Sequence, residues 1–172
     1  VPAIGDFVPA DAPLYIVHGD ARELDEDELH RALVLKLEPT LDRDVGYGLR
    51  MLVDIAERSL SESPFQDPTT AVQAIDRIHD ILRQLARRPF PDGRYYDETG
   101  EIRLSVPVPT WDDYVLLATE EITLAGAKSP PVVRRLERAL VDVRTVAPAD
   151  RQPILDRRLD ALAEQSALEP AR

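Results

Sequence analysis

The residues best suited to chemistry in this chain are Arg50, Asp54, Asp67 and Asp76, with His79 and Asp80 close by. Two carboxylates brought together away from water drive their pKa values apart and can share acid and base roles. Asp54 and Asp76 would form such a pair if the helices carrying them pack face to face. The plainer reading is helix-surface ion pairing. Arg50–Asp54 and Asp54–Arg58 both stand at i, i+4, where an exposed pair contributes about 0.3–0.5 kcal/mol. Asp76, His79 and Asp80 fall at i, i+3 and i+4, a spacing that gathers nitrogen and oxygen donors near one helix face. There is no HExxH and no second histidine at helical spacing. The plainer reading of His79 is therefore a side chain at the edge of a packed face, and no metal or other cofactor is expected. Ser61 and Ser63 lack the Gly-x-Ser-x-Gly turn that exposes a hydrolase nucleophile. Neither a Walker loop nor a Gly-x-Gly-x-x-Gly cradle occurs, and the absence of cysteine excludes disulfides, thiolate zinc sites and a cysteine nucleophile. What remains is a ligand or structural polar cluster of Arg50, Asp54, Asp67 and Asp76, with no catalytic role assigned to any of them and an enzyme the less favoured reading.

These residues lie on the stretch Asp44–Arg88, which reads as two long helices and a short turn. The first spans about 42–60. Leu49, Leu52, Val53, Ala56 and Leu60 make its apolar stripe, while Tyr47, Arg50, Asp54, Glu57 and Arg58 lie opposite. Pro64 bounds the turn. Asp67 followed by Pro68 is a helix start signal, an N-cap carboxylate ahead of a proline at the first helical position. The second helix runs to about 87, striped by Ala71, Ile75, Ile78, Leu82 and Leu85, with Asp76, Arg77, Asp80 and Arg83 facing outward.

The flanking segments read more simply. In 1–18, Phe7-Val8 and Leu14–Val17 form a short β-hairpin around Pro-Ala-Asp-Ala-Pro. Asp25 or Asp27 caps a helix reaching about 35; its acidic approach lacks the spaced ligands and glycine of a calcium loop. Residues 94–97 and 102–108 form a second small hairpin, with Pro107 marking a strand end. Thr110 and Asp113 form a shortened capping box for a helix that Gly126 ends. Further helices begin at Ser129-Pro130-Pro131 and near Asp150, the last burying Leu155, Leu159 and Leu162, and the tail from 169 to 172 frays. The expected fold is α+β and dominantly α: five or six helices with two small β pieces, divided into a β segment over 1–18 and a helical domain over 19–168.

Hydrophobic residues make up 44% of the 172 and charged residues 31%, a globular balance. With aromatics at 5%, the core must come from Leu, Val, Ile and Ala. The net charge of -11 disfavours nucleic acid and direct binding to an anionic membrane surface. That charge is uneven: residues 1–62 carry 14 acids against 6 bases, and 131–158 carry 7 arginines against 4 acids. Such asymmetry suits ends that face each other within a chain or between copies, so a homo-oligomer is expected; unrelated solvated faces are the plainer alternative. No apolar run approaches the ~18 residues a membrane span needs.

Four stretches add a resemblance. Tyr47-Gly48-Leu49-Arg50-Met51-Leu52-Val53-Asp54-Ile55-Ala56 is followed by Ser59-Leu60-Ser61 and by Gln66-Asp67-Pro68-Thr69-Thr70-Ala71; Gly5-Asp6-Phe7-Val8 with Pro13-Leu14 precedes them. Together they resemble a family of bacterial integral membrane proteins known only as domain of unknown function two-two-five-four. Gln66 stands where the family has Asn, and Pro39-Thr40 where it has Arg-Thr. The opening also looks like half of a small β-sandwich module completed upstream. The resemblance implies membrane helices upstream in the parent chain and an inner-membrane location, with this region on the cytoplasmic side. A packed helical domain after membrane spans, with complementary charge at its two ends and no catalytic motif, suits an assembly or regulatory role, such as gating an attached channel or transporter. The resemblance implies no mechanism. The competing reading is a ligand-binding or enzymatic domain with a polar pocket around Arg50, Asp54 and Asp67.

Overall fold

In the computed structural model the described residues are 1–3, 5–19, 24–32, 44–61 and 67–168. The central helical hairpin forms where its apolar spacing places it. α2 (Val45–Leu60) buries Leu49, Val53, Ala56 and Leu60 at i, i+4, i+7 and i+11. α3 (Pro68–Leu85) buries Ala71, Ala74, Ile75, Ile78, Leu82 and Leu85. Asp67 starts α3 as its sequence suggests: its carboxylate accepts from Thr69 N at 2.9 Å and from Thr70 Oγ1 at 2.6 Å. Its own N–H reaches back to the Ser59 carbonyl at 2.8 Å, tying the start of α3 to the end of α2. The part of the first helix expected over 42–43, and the end of the earlier helix at 33–35, lie outside the described residues.

α4 (Trp111–Ala125) opens on a full capping box. Thr110 Oγ1 accepts from Asp113 N at 3.2 Å, while the Asp113 carboxylate accepts from Thr110 N at 2.8 Å. Gly126 ends it. A Cβ there would lie 2.5 Å from Val132 Cγ1 and 2.8 Å from the Ile122 carbonyl, so only glycine lets the next helix begin this close. α5 (Pro130–Val146) then buries Val132, Leu136, Ala139, Leu140 and Val143. After one 3₁₀ turn (Ala149–Arg151), α6 (Gln152–Leu168) contributes Ile154, Leu155 and Leu162 to the interior. Contacts run α2 to α3, α3 to α5, α5 to α6, α6 to α4 and α4 back to α2. The five helices thus close a ring around one apolar core, filled by Leu, Ile, Val and Ala with a single tryptophan.

This bundle, Val45–Phe90 with Pro109–Arg172, is one compact unit; Val1–Asp44 with Pro91–Val108 is the other. In the second unit Asp25 caps the short helix α1 (Glu26–Ala32), accepting from Asp27 N and Glu28 N at 2.9 and 3.1 Å. The strands β1 (Arg94–Tyr96) and β2 (Ile102–Ser105) pair antiparallel, Arg94 opposite Ser105 and Tyr95 opposite Leu104, with an irregularity after Tyr95. Asp97 organises the turn between them: its Oδ1 accepts from Thr99 N, Thr99 Oγ1 and Glu101 N at 2.9, 2.6 and 3.0 Å. Gly93 sits at φ +72, and a Cβ there would lie 2.0 Å from the Val106 carbonyl, so the hairpin closes only over glycine.

One expectation fails. The N-terminal β-hairpin does not form: the described residues of 1–18 make turns closed by Asp6 N to Ala3 O and Ala12 N to Pro9 O, both 3.2 Å, and no strand. Pro2, Pro9 and Pro13 remove three ladder donors from a short stretch, leaving apolar runs too brief to pair. The dominantly α architecture with the small mid-chain hairpin is as expected.

Candidate functional site

The densest polar arrangement lies on the seam between α3 and α5. Asp76, His79 and Arg83 stand at i, i+3 and i+7 on α3, and Arg135 and Asp142 at i, i+7 on α5, so each set lines one helix face. Arg135 Nε donates to Asp76 Oδ1 at 2.5 Å, and its Nη2 donates to His79 Nδ1 at 3.0 Å. A guanidinium has no acceptor, so Nδ1 must carry the lone pair and Nε2 the hydrogen. His79 Nε2 accordingly donates to Asp142 Oδ2 at 2.7 Å, where Arg83 Nη1 also donates. Five side chains thus join α3 to α5 at two levels along the seam, with the neutral imidazole between Arg135 and Asp142.

The electrostatics follow from this ladder. The hydrogen bond from His79, and then that from Arg83, hold the Asp142 carboxyl below its ordinary value of 3.8, against a smaller opposing effect of desolvation. Arg135 and His79 are mostly covered, with side chains 22% exposed, while Asp142 remains open at 42%. Both imidazole nitrogens are engaged, so His79 offers no free lone pair to a metal or a proton donor in this arrangement. Beside Asp142 lies an open trough lined by Glu137, Arg138, Val141, Asp142 and Thr145. All five belong to α5, so the trough is a groove along one helix and encloses nothing.

The polar residues singled out from the sequence do not converge. Arg50 leaves Asp54 and crosses to α4, where its Nη1 donates to both oxygens of Glu121 at 3.0 and 2.9 Å. The expected Arg50–Asp54 and Asp54–Arg58 pairs are therefore replaced by an interhelical bridge, and Asp54 enters no ion pair among the described residues. Asp67 is an N-cap, its carboxyl held below the ordinary 3.8 chiefly by the Thr70 hydroxyl. Asp76 faces Arg135, not Asp54. Asp76 and Arg83, read from periodicity as an outer face, border α5 instead. Asp80 accepts from Gln84 Nε2 at 3.0 Å one turn along its own helix. Among the described residues no group of His, Asp and Glu is placed to hold a metal ion.

Two arginines that sequence reasoning passed over carry comparable weight. Arg151 Nη1 donates to the Leu85 and Ala86 carbonyls at 3.2 and 2.9 Å, closing the C-terminus of α3. Its guanidinium lies 4.7 Å from the Phe90 ring centroid, and its carbonyl accepts from Trp111 Nε1 at 2.9 Å. Arg158 Nε and Nη2 donate to the hydroxyls of Thr119 and Thr123 at 3.0 and 3.2 Å. Those buried hydroxyls donate in turn to the carbonyls of Val115 and Thr119, each at 2.7 Å. The one signal in the sequence was the cluster of arginines after residue 131, read there only as net charge.

The bundle's polar groups thus lock helices to one another. No helix among the described residues is long and apolar enough to cross a membrane. Residues 1–142 match the family described as "Predicted membrane protein (DUF2254)". The chain is 34% identical over 106 residues to the uncharacterized protein Mb1321c of Mycobacterium bovis, and to the same extent to the uncharacterized protein Rv1290c of Mycobacterium tuberculosis. Those alignments cover 62% of this chain and 20% of each relative, so the matched region is about a fifth of the mycobacterial proteins. No solved structure matches. The chain belongs to the DUF2254 family of predicted membrane proteins.

Proposed function

We propose that this region is an assembly domain of a bacterial membrane protein, attached to membrane helices elsewhere in the parent chain and acting by packing against further copies of itself. The observation that carries the reading is how the polar side chains are used. Arg50 is engaged by Glu121, Asp76 by Arg135 and His79 by Asp142, each across a helix–helix seam, and Asp67 caps a helix. Catalytic and ligand-binding sites instead converge polar groups on a concave pocket. The alternative of a pocket around Arg50, Asp54 and Asp67 draws no support from a geometry in which Arg50 pairs on α4 and Asp67 is occupied at the start of α3. A helical scaffold tied by interhelical bridges suits transmission of position and subunit contact, and regulation of an attached channel or transporter is the role such a scaffold would serve. The cytoplasmic face of the inner membrane is the proposed location.

The test uses the parent membrane protein in detergent, with and without residues 45–168. The proposal predicts an oligomer for the whole protein and a smaller native mass for the deletion. An unchanged oligomer would refute it. A catalytic turnover lost on mutating Arg50 or Asp54, with the oligomer intact, would favour the pocket instead.

A further inference from the structure

The hydrogen bonds of the α3–α5 seam form one continuous path. Asp76 on α3 accepts from Arg135 on α5, and Arg135 donates back to His79 on α3. His79 donates to Asp142 on α5, which also accepts from Arg83 on α3. Every link crosses from one helix to the other. Two arginines and two aspartates balance, so the path is neutral overall only while the imidazole is neutral. The imidazole is also the group in it whose ordinary charge change falls between about pH 5 and 8. The Asp142 carboxyl, held below its ordinary value by His79 and Arg83, stays ionised through that range. The His79 side chain is 22% exposed, so protons reach it from solvent without opening the core.

One link requires the uncharged ring. Arg135 Nη2 donates to His79 Nδ1 at 3.0 Å, and a guanidinium has no acceptor. A proton on Nδ1 would set N–H against N–H and one cation against another at that distance. The His79–Asp142 link responds in the opposite sense. Nε2 keeps its hydrogen, and positive charge on the ring strengthens its 2.7 Å bond to the carboxylate. A proton thus releases one link and tightens the next, and His79 stays in the seam. The surrounding charges are few. On α3, Asp80 is bonded to Gln84; on α5, Arg138 lines the trough beside Asp142. α2 and α4 also pack on α3, where Arg50 bridges to Glu121 and Asp112 pairs with Arg157 of α6. We propose that His79 makes the α3–α5 seam a proton-sensitive joint. With the ring neutral, Arg135 is shared between Asp76 and His79. With the ring protonated, Arg135 is held by Asp76 alone, and His79 and Asp142 become an ion pair. The joint lies inside one copy, so the inference does not rest on the assembly reading.

Nuclear magnetic resonance of this 172-residue chain, nitrogen-labelled and titrated from pH 8 to pH 5, tests it. The expected starting state is a neutral ring with its hydrogen on Nε2. As His79 takes up a proton, the Arg135 side-chain nitrogen signals should shift along the same curve, while the amide spectrum of the bundle stays that of a folded protein. Amide exchange in α5, corrected for its intrinsic pH dependence, should rise by about 3–10-fold, the equivalent of one lost hydrogen bond. His79→Gln keeps an oxygen to accept from Arg135 and an amide to donate to Asp142, and it takes no proton. In that variant the Arg135 signals and the corrected exchange rates should be flat with pH. A hydrogen on Nδ1 at pH 8 would overturn the proposal, as would Arg135 signals that stay fixed while His79 titrates. So would unfolding of the bundle before His79 takes its proton. The same pH response in His79→Gln would also overturn it, and would assign the response to a carboxylate of the seam.

Discussion

Arg135 and His79 share a hydrogen bond of fixed polarity across the α3–α5 seam, with Arg135 Nη2 donating to His79 Nδ1 at 3.0 Å. That single donor settles the tautomer and thereby aims the Nε2 hydrogen at Asp142, 2.7 Å away. The histidine relays orientation from one arginine to one carboxylate, and the two helices are held in register by the chain of donors. His79→Ala should therefore cost about 1–3 kcal/mol of stability, because Arg135 and Asp142 each lose a partner. A double-mutant cycle with Asp142→Ala, read by urea denaturation, should return a coupling of at least about 0.5 kcal/mol. Simple additivity would show that the ladder is not cooperative.

The depressed Asp142 carboxyl gives the acid limb of stability a definite sign. A carboxyl that ionises more readily in the folded state contributes stability above its ordinary value of 3.8, and that contribution is lost as pH falls through the lower folded value. Asp142 is 42% exposed, so solvent screening keeps the effect to about 1 kcal/mol or less. Asp142→Asn should be less stable than the parent sequence at pH 6 and should approach it near pH 2. Denaturation midpoints across that range check this; a constant difference would remove the titration from the account.

Arg151 closes the end of α3 by reaching two successive carbonyls from the far side of the chain. Both bonds come from the one nitrogen Nη1, and a lysine ammonium, a more strongly hydrated point charge, also lacks the flat face presented to Phe90. Arg151→Lys should cost about 1–2 kcal/mol and Arg151→Ala more, up to about 3 kcal/mol. Tryptophan fluorescence should report the loss, since Trp111 donates to the Arg151 carbonyl. An Arg151→Lys protein with unchanged stability would show that the carbonyls are satisfied otherwise.

Thr119 and Thr123 hold Arg158 with hydroxyls where a carboxylate would be the commoner partner. Thr123→Val keeps the shape and removes the acceptor, leaving a part-buried guanidinium N–H unmatched. The expected loss is about 1–2 kcal/mol. Thr123→Ser retains the hydroxyl and should recover most of it, apart from the missing methyl. If valine and serine behave alike, the arginine contact contributes nothing and methyl packing accounts for the position.

The helices were legible because each carries its own local instructions. The stripe from Leu49 to Leu60, the Asp67-Pro68 start and the Thr110–Asp113 box are set by spacing and capping chemistry alone. The pairing of polar side chains was not. Arg50 could bridge to Asp54 within its helix or to Glu121 across the bundle, 71 residues away, and only the packing of α2 on α4 decides between them. Arg135 and Asp142 gave the sequence no motif, since an i, i+7 pair becomes meaningful only beside Asp76, His79 and Arg83. The N-terminal strands misled for a related reason. Phe7-Val8 and Leu14–Val17 carry strand-like composition, but a strand needs a neighbour to pair with, and the prolines around them remove donors.

The assembly reading meets its most direct test in the solution mass of this chain, measured by light scattering over a concentration series at low and high salt. The account predicts a defined oligomer whose mass falls as salt rises, because contact between acidic and basic surfaces of different copies weakens with screening. A strict monomer at every concentration and ionic strength would contradict it.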